Sequence, residues 1–395
     1  MPRLTGARAF LVVVLAFLVT MIGTTMPTPM YGIYQERIGF SLTTITVVFA
    51  MYAFGVLVSL LLFGRWSDAL GRRPLLIAGL TISLVSDLVF LVADATWILL
   101  VARVVSGLSA GIYVGTATAA VIEAAPERWR SRAPLVATAA NIGGLGLGPV
   151  VAAAIVDAFP WPLHLTFVVH IGVGLVVLAL LTQVPETVDV TPGARPRLQR
   201  PRVPAAARTT FVGAGIAGFA GFAVSGLFTA VSPRFVAEAV ESPRPLVSVS
   251  VVFALFAASV AAQALWHRLP TQTGVNLGCA LLTVGLLLFT ASLATETLWL
   301  MLLAAVIAGA GQGISFSKGL ASVLARIQPH ERAGTTSAFF VVAYVAISVP
   351  VIGSGIASDR WGLDRTGIVF SAAAAALAAL ALITLVIDQR RTAAG

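Results

Sequence analysis

Long apolar runs, broken at intervals by short polar clusters, dominate this chain. Twelve runs are long enough to cross about 30 Å of hydrocarbon as helices. They lie at roughly 8–30, 42–63, 74–93, 97–124, 133–157, 163–183, 208–231, 246–266, 273–293, 298–325, 334–357 and 366–387. None shows the strict alternation of a barrel strand, and only helices and closed barrels can span lipid. The pattern predicts an all-α membrane protein with twelve transmembrane helices. The first run follows Arg3 and Arg8 and reaches past Met26. That is too long for the apolar core of a signal peptide, and no small-residue cleavage site follows, so it reads as an uncleaved span.

The polar clusters orient these helices. Eighteen of the 25 Lys and Arg residues fall in the termini and loops of one side, five (Arg37, Arg234, Arg244, Arg360 and Arg365) on the other, and Arg103 and Lys318 lie within spans. An odd error in helix number would scramble this asymmetry, so both termini are expected to be cytoplasmic. The only long polar stretch, Val184 to Ala207, holds five prolines and four arginines and reads as a disordered or extended cytoplasmic linker. It divides the chain into a six-helix bundle at 1–183, the linker at 184–207, and a second bundle at 208–395. The halves repeat. Val47-Val48-Phe49-Ala50 recurs as Val251-Val252-Phe253-Ala254, Gly107 and Gly111 as Gly309 and Gly313, and Pro149 and Asp157 as Pro350 and Asp359, at offsets of 201 to 204. Collinear matches at a near-constant offset argue duplication of a six-helix unit, giving two pseudo-symmetric bundles with a solute site near the midplane between them.

Composition narrows the class further. Of 395 residues, 58% are hydrophobic and only 10% charged, which no soluble domain tolerates. The net charge of +9 comes with no basic, aromatic-interleaved stripe, so nucleic acid is not an expected partner. Cys279 is the only cysteine, so no disulfide forms within the chain.

One loop carries more chemistry than topology needs. Gly64-Arg65-Trp66-Ser67-Asp68-Ala69-Leu70-Gly71-Arg72-Arg73-Pro74 joins the second and third spans. The positive-inside rule asks for its arginines but not for Asp68. Gly64, Asp68, Gly71, Arg72 and Arg73 match, in register, the signature loop of the major facilitator superfamily of secondary transporters, which this stretch resembles. The loop has no copy in the second half. The resemblance implies a conformational gate in which Asp68 and Arg72 latch the cytoplasmic face to the second half. Val184-Pro185-Glu186-Thr187 is similar to the Pro-Glu-Thr that closes helix six in sugar-transporting branches.

Further candidates lie inside the spans. An arginine in hydrocarbon costs about 2.5–3.5 kcal/mol even on the lenient insertion scale, so Arg103 needs a partner or a wet cavity. Arg103-Val104-Val105-Ser106-Gly107 resembles the family's Arg-x-x-x-Gly motif, which implies proton coupling. Asp87 is a candidate partner: both residues lie eight positions from the turn at Ala95, about 12 Å down their helices. The pair reads equally as a structural ion pair. Gly144, Gly148 and Pro149 in helix five resemble the exporters' Gly-x-x-x-Gly-Pro motif, with Ala152 and Ala153 in place of its last glycines, and read equally as a packing face. In helix one, Thr24, Thr25, Pro27 and Tyr31 offer hydroxyls and freed carbonyls to a cavity. That helix lacks the membrane acid of many drug-exporting relatives. Lys318 either snorkels to the cytoplasm or faces the cavity.

Gly107-Leu108-Ser109-Ala110-Gly111 fits a hydrolase pattern, but that motif needs a strand-to-helix turn and here it lies within a helix. His164 and His170 sit on helix six and form no metal cluster with other residues. The resemblance therefore implies a secondary active transporter of the twelve-helix drug/proton antiporter branch, not an enzyme. It would move a small-molecule substrate out across the plasma membrane, driven by a proton gradient, as a lipid-embedded monomer without cofactor or metal. The alternatives are an uptake symporter or facilitator, and, in a different class, a transporter-like sensor or membrane-embedded enzyme.

Overall fold

The computed structural model describes residues 4–64, 66–188, 190, 198–239 and 244–394, apart from the side chains of 231, 234, 237–239, 329 and 388–394. Arg3, Arg65, Arg195 and Arg197, with Pro192 and Pro196 of the linker, lie outside the described residues, as do the side chains of Arg234, Arg390 and Arg391. In chain order the helices are α1 (Gly6–Thr25), α2 (Tyr31–Ile38), α3 (Leu42–Phe63), α4 (Trp66–Leu70), α5 (Arg72–Leu91), α6 (Thr96–Glu123), α7 (Ala133–Ala158), α8 (Pro162–Leu181), α9 (Arg208–Ala239), α10 (Pro245–Leu265), α11 (Thr271–Ala294), α12 (Leu298–Leu324), α13 (Arg332–Trp361) and α14 (Leu363–Ala394). No strand occurs among the described residues. Among the described residues, twelve segments are long and apolar enough to cross a membrane, α1 with α2 counting as one and the short α4 lying in a loop.

Two differences from the sequence expectation have a common cause. The first span does not run straight to residue 30. It stops at Thr25, makes a short 3-10 turn over Thr28–Met30, and resumes as α2. Pro27 and Pro29 have no N–H, so the carbonyls of Gly23 and Thr25 lose their helical donors and the α-helix cannot pass through. Conversely α9, α13 and α14 extend past the predicted 231, 357 and 387. Hydropathy marks where hydrocarbon ends, whereas hydrogen bonds carry a helix on into polar sequence.

The chain divides into two compact units: Met1–Phe40 with Met51–Arg200, and Ser41–Ala50 with Pro201–Gly395. Each packs by small residues and turns apolar side chains outward. Leu88, Val176, Leu287 and Ile383 are each more than half exposed, as suits a surface facing lipid. In the first unit, a Cβ on Gly107 would lie 2.1 Å from the Tyr52 carbonyl, and one on Gly111 would lie 2.5 Å from Ser59 Cβ. In the second unit, a Cβ on Gly309 would lie 2.1 Å from the Leu255 carbonyl, and one on Gly313 would lie 2.6 Å from the Ser259 carbonyl. The same backbone-to-backbone crossing, of α6 on α3 and of α12 on α10, is thus built twice from equivalent glycines.

Residues 198–207 of the linker make backbone hydrogen bonds to the helices. The Gln199 N–H donates to the Leu61 carbonyl at 2.9 Å, and the Arg202 N–H donates to the Gly334 carbonyl at 3.2 Å.

Candidate functional site

Gly71 organises the loop after α3. Its φ of +97° suits glycine, and an added Cβ would lie 2.4 Å from Glu186 Oε2. The close approach lets the Glu186 carboxylate accept from the N–H groups of Arg72 at 2.8 Å and Arg73 at 3.1 Å. An anion thereby sits on the unsatisfied donors at the start of α5. The Arg73 guanidinium donates to the Thr182 carbonyl. Arg72 meets Asp68 at 2.6 Å and Glu123 at 3.1 Å and donates to Ser67 Oγ at 2.6 Å. Thr187 Oγ1 closes the network on Glu123 at 2.8 Å. These recorded partners all belong to the first unit. Gly64 abuts the linker, where an added Cβ would lie 3.2 Å from Gln199 Cβ.

The break in the first span is the second feature. A helix C-terminus carries carbonyls without partners and a partial negative charge. Arg103, 1% exposed, sends Nη1 to the Thr24 carbonyl at 2.5 Å, one residue from the end of α1. Its guanidinium also lies over the Tyr52 ring, 4.7 Å from the centroid. The hydroxyls of Thr24 and Thr25 are bonded to the carbonyls of Met21 at 2.7 Å and Leu145 at 2.9 Å, so neither is open to a solute. Past Pro27, Thr28 Oγ1 and Tyr31 Oη are buried with no hydrogen-bond partner among the described residues.

Asp87 does not pair with Arg103. Its Oδ2 lies 2.7 Å from His170 Nδ1, at 2% and 4% exposure. His170 Nε2 lies 2.9 Å from the Val19 carbonyl. The neighbours Ser86 and Ala102 do meet, Ser86 Oγ donating to the Ala102 carbonyl at 2.9 Å, so the two helices touch at this depth. The side chains diverge because Arg103 turns to the Thr24 carbonyl at the end of α1 while Asp87 turns to α8. Gly23 makes room for the imidazole: an added Cβ would lie 2.5 Å from Cε1.

In α7, Gly144 and Gly148 seat α1. Cβ atoms there would lie 2.5 Å from Met21 Cβ and 2.5 Å from the Ile22 carbonyl. Pro149 removes the N–H that would have met the Leu145 carbonyl four residues earlier. Thr25 Oγ1 donates to that same carbonyl. Thr25→Val should leave it bare and cost about 1–3 kcal/mol. In a Pro149→Ala background, where an N–H returns, the same change should cost less than about 1 kcal/mol. Unfolding in detergent measures both, and equal losses in the two backgrounds would show that the sites are independent.

Lys318 Nζ donates to the carbonyls of His267 at 2.7 Å and Leu269 at 2.8 Å, just past α10. The ammonium is committed to those carbonyls rather than offered to a solute. Ser109 of the hydrolase-like pattern is likewise committed, donating to the Gly79 carbonyl at 2.7 Å.

The family model described as Major Facilitator Superfamily matches residues 13–351. The chain belongs to the major facilitator superfamily. With its twelve apolar helices it is a multi-pass membrane protein. It is similar to the tetracycline resistance protein, class E, of Escherichia coli, 30% identical over 105 residues, which are 27% of this chain and 26% of that one. It is also similar to multidrug resistance protein 2 of Bacillus subtilis strain 168, 27% identical over 140 residues, 35% of each chain. The matched stretches thus span about a quarter to a third of these curated relatives. The crystal structure of the human organic anion transporter MFSD10 (TETRAN) shares the fold: TM-score 0.62, covering 96% of this chain and 99% of that one at 18% identity.

Sequence reasoning about this superfamily member missed the roles of His170, Glu123 and Glu186. His170 was within reach. It lies eight residues past Pro162, at the depth where Asp87 and Arg103 lie below Ala95. Glu123 and Glu186 are 51 and 114 positions from Arg72, and no periodicity joins them to it.

Proposed function

We propose that the chain is a proton-coupled exporter of a small solute, working by alternating access as a monomer in the plasma membrane with both termini cytoplasmic. The observation that carries this reading is the buried Arg103 docked on the open end of α1. A cation held by carbonyls of an interrupted helix is the arrangement that transporters use at solute and ion sites. Arg103 is also the residue that family resemblance ties to proton coupling. The unpartnered hydroxyls of Thr28 and Tyr31 beside the break are the groups that meet the solute. Asp68 on α4, Arg72 at the start of α5 and Glu123 at the end of α6 form the gate, since their network must rearrange if those helices move apart. The resistance proteins among the relatives support export as the direction.

Proteoliposomes under an imposed pH gradient, loaded with a solute panel that includes tetracycline, test the reading. The gradient should drive at least one solute against its concentration, and collapsing it with a protonophore should stop the flux. Flux that runs only downhill and ignores the gradient would make the chain a facilitator.

A further inference from the structure

Asp87 and His170 stand apart from the arginine site, yet they are among the most deeply buried ionisable groups in the first unit. Their hydrogen-bond geometry fixes how many protons they hold. The Val19 carbonyl can only accept, so His170 Nε2 carries a hydrogen and donates it. Nδ1 and Asp87 Oδ2, 2.7 Å apart, then need one proton between them. Two bare acceptors at that distance would repel. With the proton on oxygen, both groups are neutral. With it on nitrogen, they are carboxylate and imidazolium. Either way the pair is neutral overall and holds one removable proton, the form that hydrocarbon tolerates.

The surroundings leave few other charges to compensate. α1 carries no titratable group between Arg8 and Thr25, and α7 none between Arg132 and Asp157. α2 brings Tyr31 and Tyr34, and Tyr34 Oη faces the Phe90 carbonyl at 3.4 Å. α6 brings Tyr113, whose Oη donates to the Leu76 carbonyl at 2.9 Å, and Arg103. On α8, His164 is exposed. Arg103 is therefore the positive charge nearest in sequence depth to a carboxylate bared at Asp87.

We infer that Asp87 and His170 form the protonation site of this transporter and hold α1 according to their proton. The inference rests on the proton-coupled reading above. While the proton is present, His170 bridges Asp87 on α5 to the Val19 carbonyl on α1, with Gly23 cupping the ring. When the proton leaves to water, the Asp87 carboxylate and the Nδ1 lone pair oppose each other and the bridge opens. The bared carboxylate then draws Arg103 from the Thr24 carbonyl, releasing the end of α1. One proton departs, no bond other than hydrogen bonds changes, and the net charge of the site falls by one.

Three variants in proteoliposomes test this: Asp87→Asn, His170→Gln and the two combined. Asp87→Asn and the double variant leave the site neutral with no proton to release, while His170→Gln leaves Asp87 a lone buried carboxyl that keeps its proton because hydrocarbon disfavours the bare carboxylate. Gradient-driven flux should fall about a hundredfold, the scale on which loss of a proton-transfer group acts. Solute exchange at equal pH, which needs no net proton movement, should stay within about twofold of wild type. If exchange and driven flux fall together, or neither falls, the inference is overturned. A second readout needs no transport. Purified wild-type protein in nanodiscs, shifted from alkaline to acid buffer, should take up one proton more than the double variant. Equal uptake overturns the inference even if driven flux is normal. If wild type shows no driven flux at all, the coupling reading fails, while the uptake difference still decides whether the pair binds a proton. Should a single variant fail to fold, the double variant, which strands neither partner, carries both measurements.

Discussion

Gly107→Ala is expected to lose most of its folded yield in detergent. The new Cβ would lie 2.1 Å from the Tyr52 carbonyl and 2.9 Å from the Gly55 Cα, all of it backbone. No rotamer change relieves such a clash, so α6 must move off α3. Overpacking of this kind costs about 1–3 kcal/mol, and a collision with backbone belongs at the upper end. The equivalent Gly309→Ala, 2.1 Å from the Leu255 carbonyl, should cost as much, because the duplicated crossing has the same geometry. Gly115→Ala is the control. It lies on the same helix with nothing within 4 Å of an added Cβ, and should be neutral or stabilising by up to about 1 kcal/mol through helix propensity. Thermal unfolding of the three variants decides the matter. A Gly107→Ala protein as stable as Gly115→Ala would mean that the helices do not cross as described.

The second large effect is on transport rather than folding. Arg103→Met should fold yet lose driven flux by about a hundredfold. The lost hydrogen bond to the Thr24 carbonyl is worth about 1.5–3 kcal/mol, and the stacking on Tyr52 up to about 2 kcal/mol. Against these stands the desolvation of a guanidinium at 1% exposure, itself several kcal/mol. The two sides nearly cancel, so unfolding should shift little. Arg103→Lys should not rescue flux, because an ammonium lacks the planar fork that donates and stacks at once. Normal flux in Arg103→Met would remove Arg103 from the coupling scheme. Lost folding in that variant would make the arginine a structural cap of α1.

The spans, the duplicated glycines and the buried arginine were legible in the sequence because each depends only on composition along one helix. What joins them was not. Asp87, Arg103 and His170 share a depth, but each residue turns about 100° from the last, and the sequence does not fix helix rotation. So Asp87 was matched to Arg103, when the contact between the two helices is made by Ser86 and Ala102. Pro27 and Pro29 announced a break in the helix, yet nothing local said that a side chain from α6 would dock on the Thr24 carbonyl beside it. Glu186 reads as a linker residue until α5 is seen to begin against it. The charged loop was recognisable as a pattern. Its partners are long-range and had no sequence signal.

The bond from Thr25 to the carbonyl freed by Pro149 gives this pair of positions a history that runs one way. A proline arriving first would strand a carbonyl in hydrocarbon. A threonine arriving first is harmless, since its hydroxyl can bond its own helix, as that of Thr24 does. The accessible mutational path therefore passes through the hydroxyl before the proline, and reversion must remove the proline before the hydroxyl. Position 25 is thus a permissive site, whose effect on fitness depends on a residue 124 positions away.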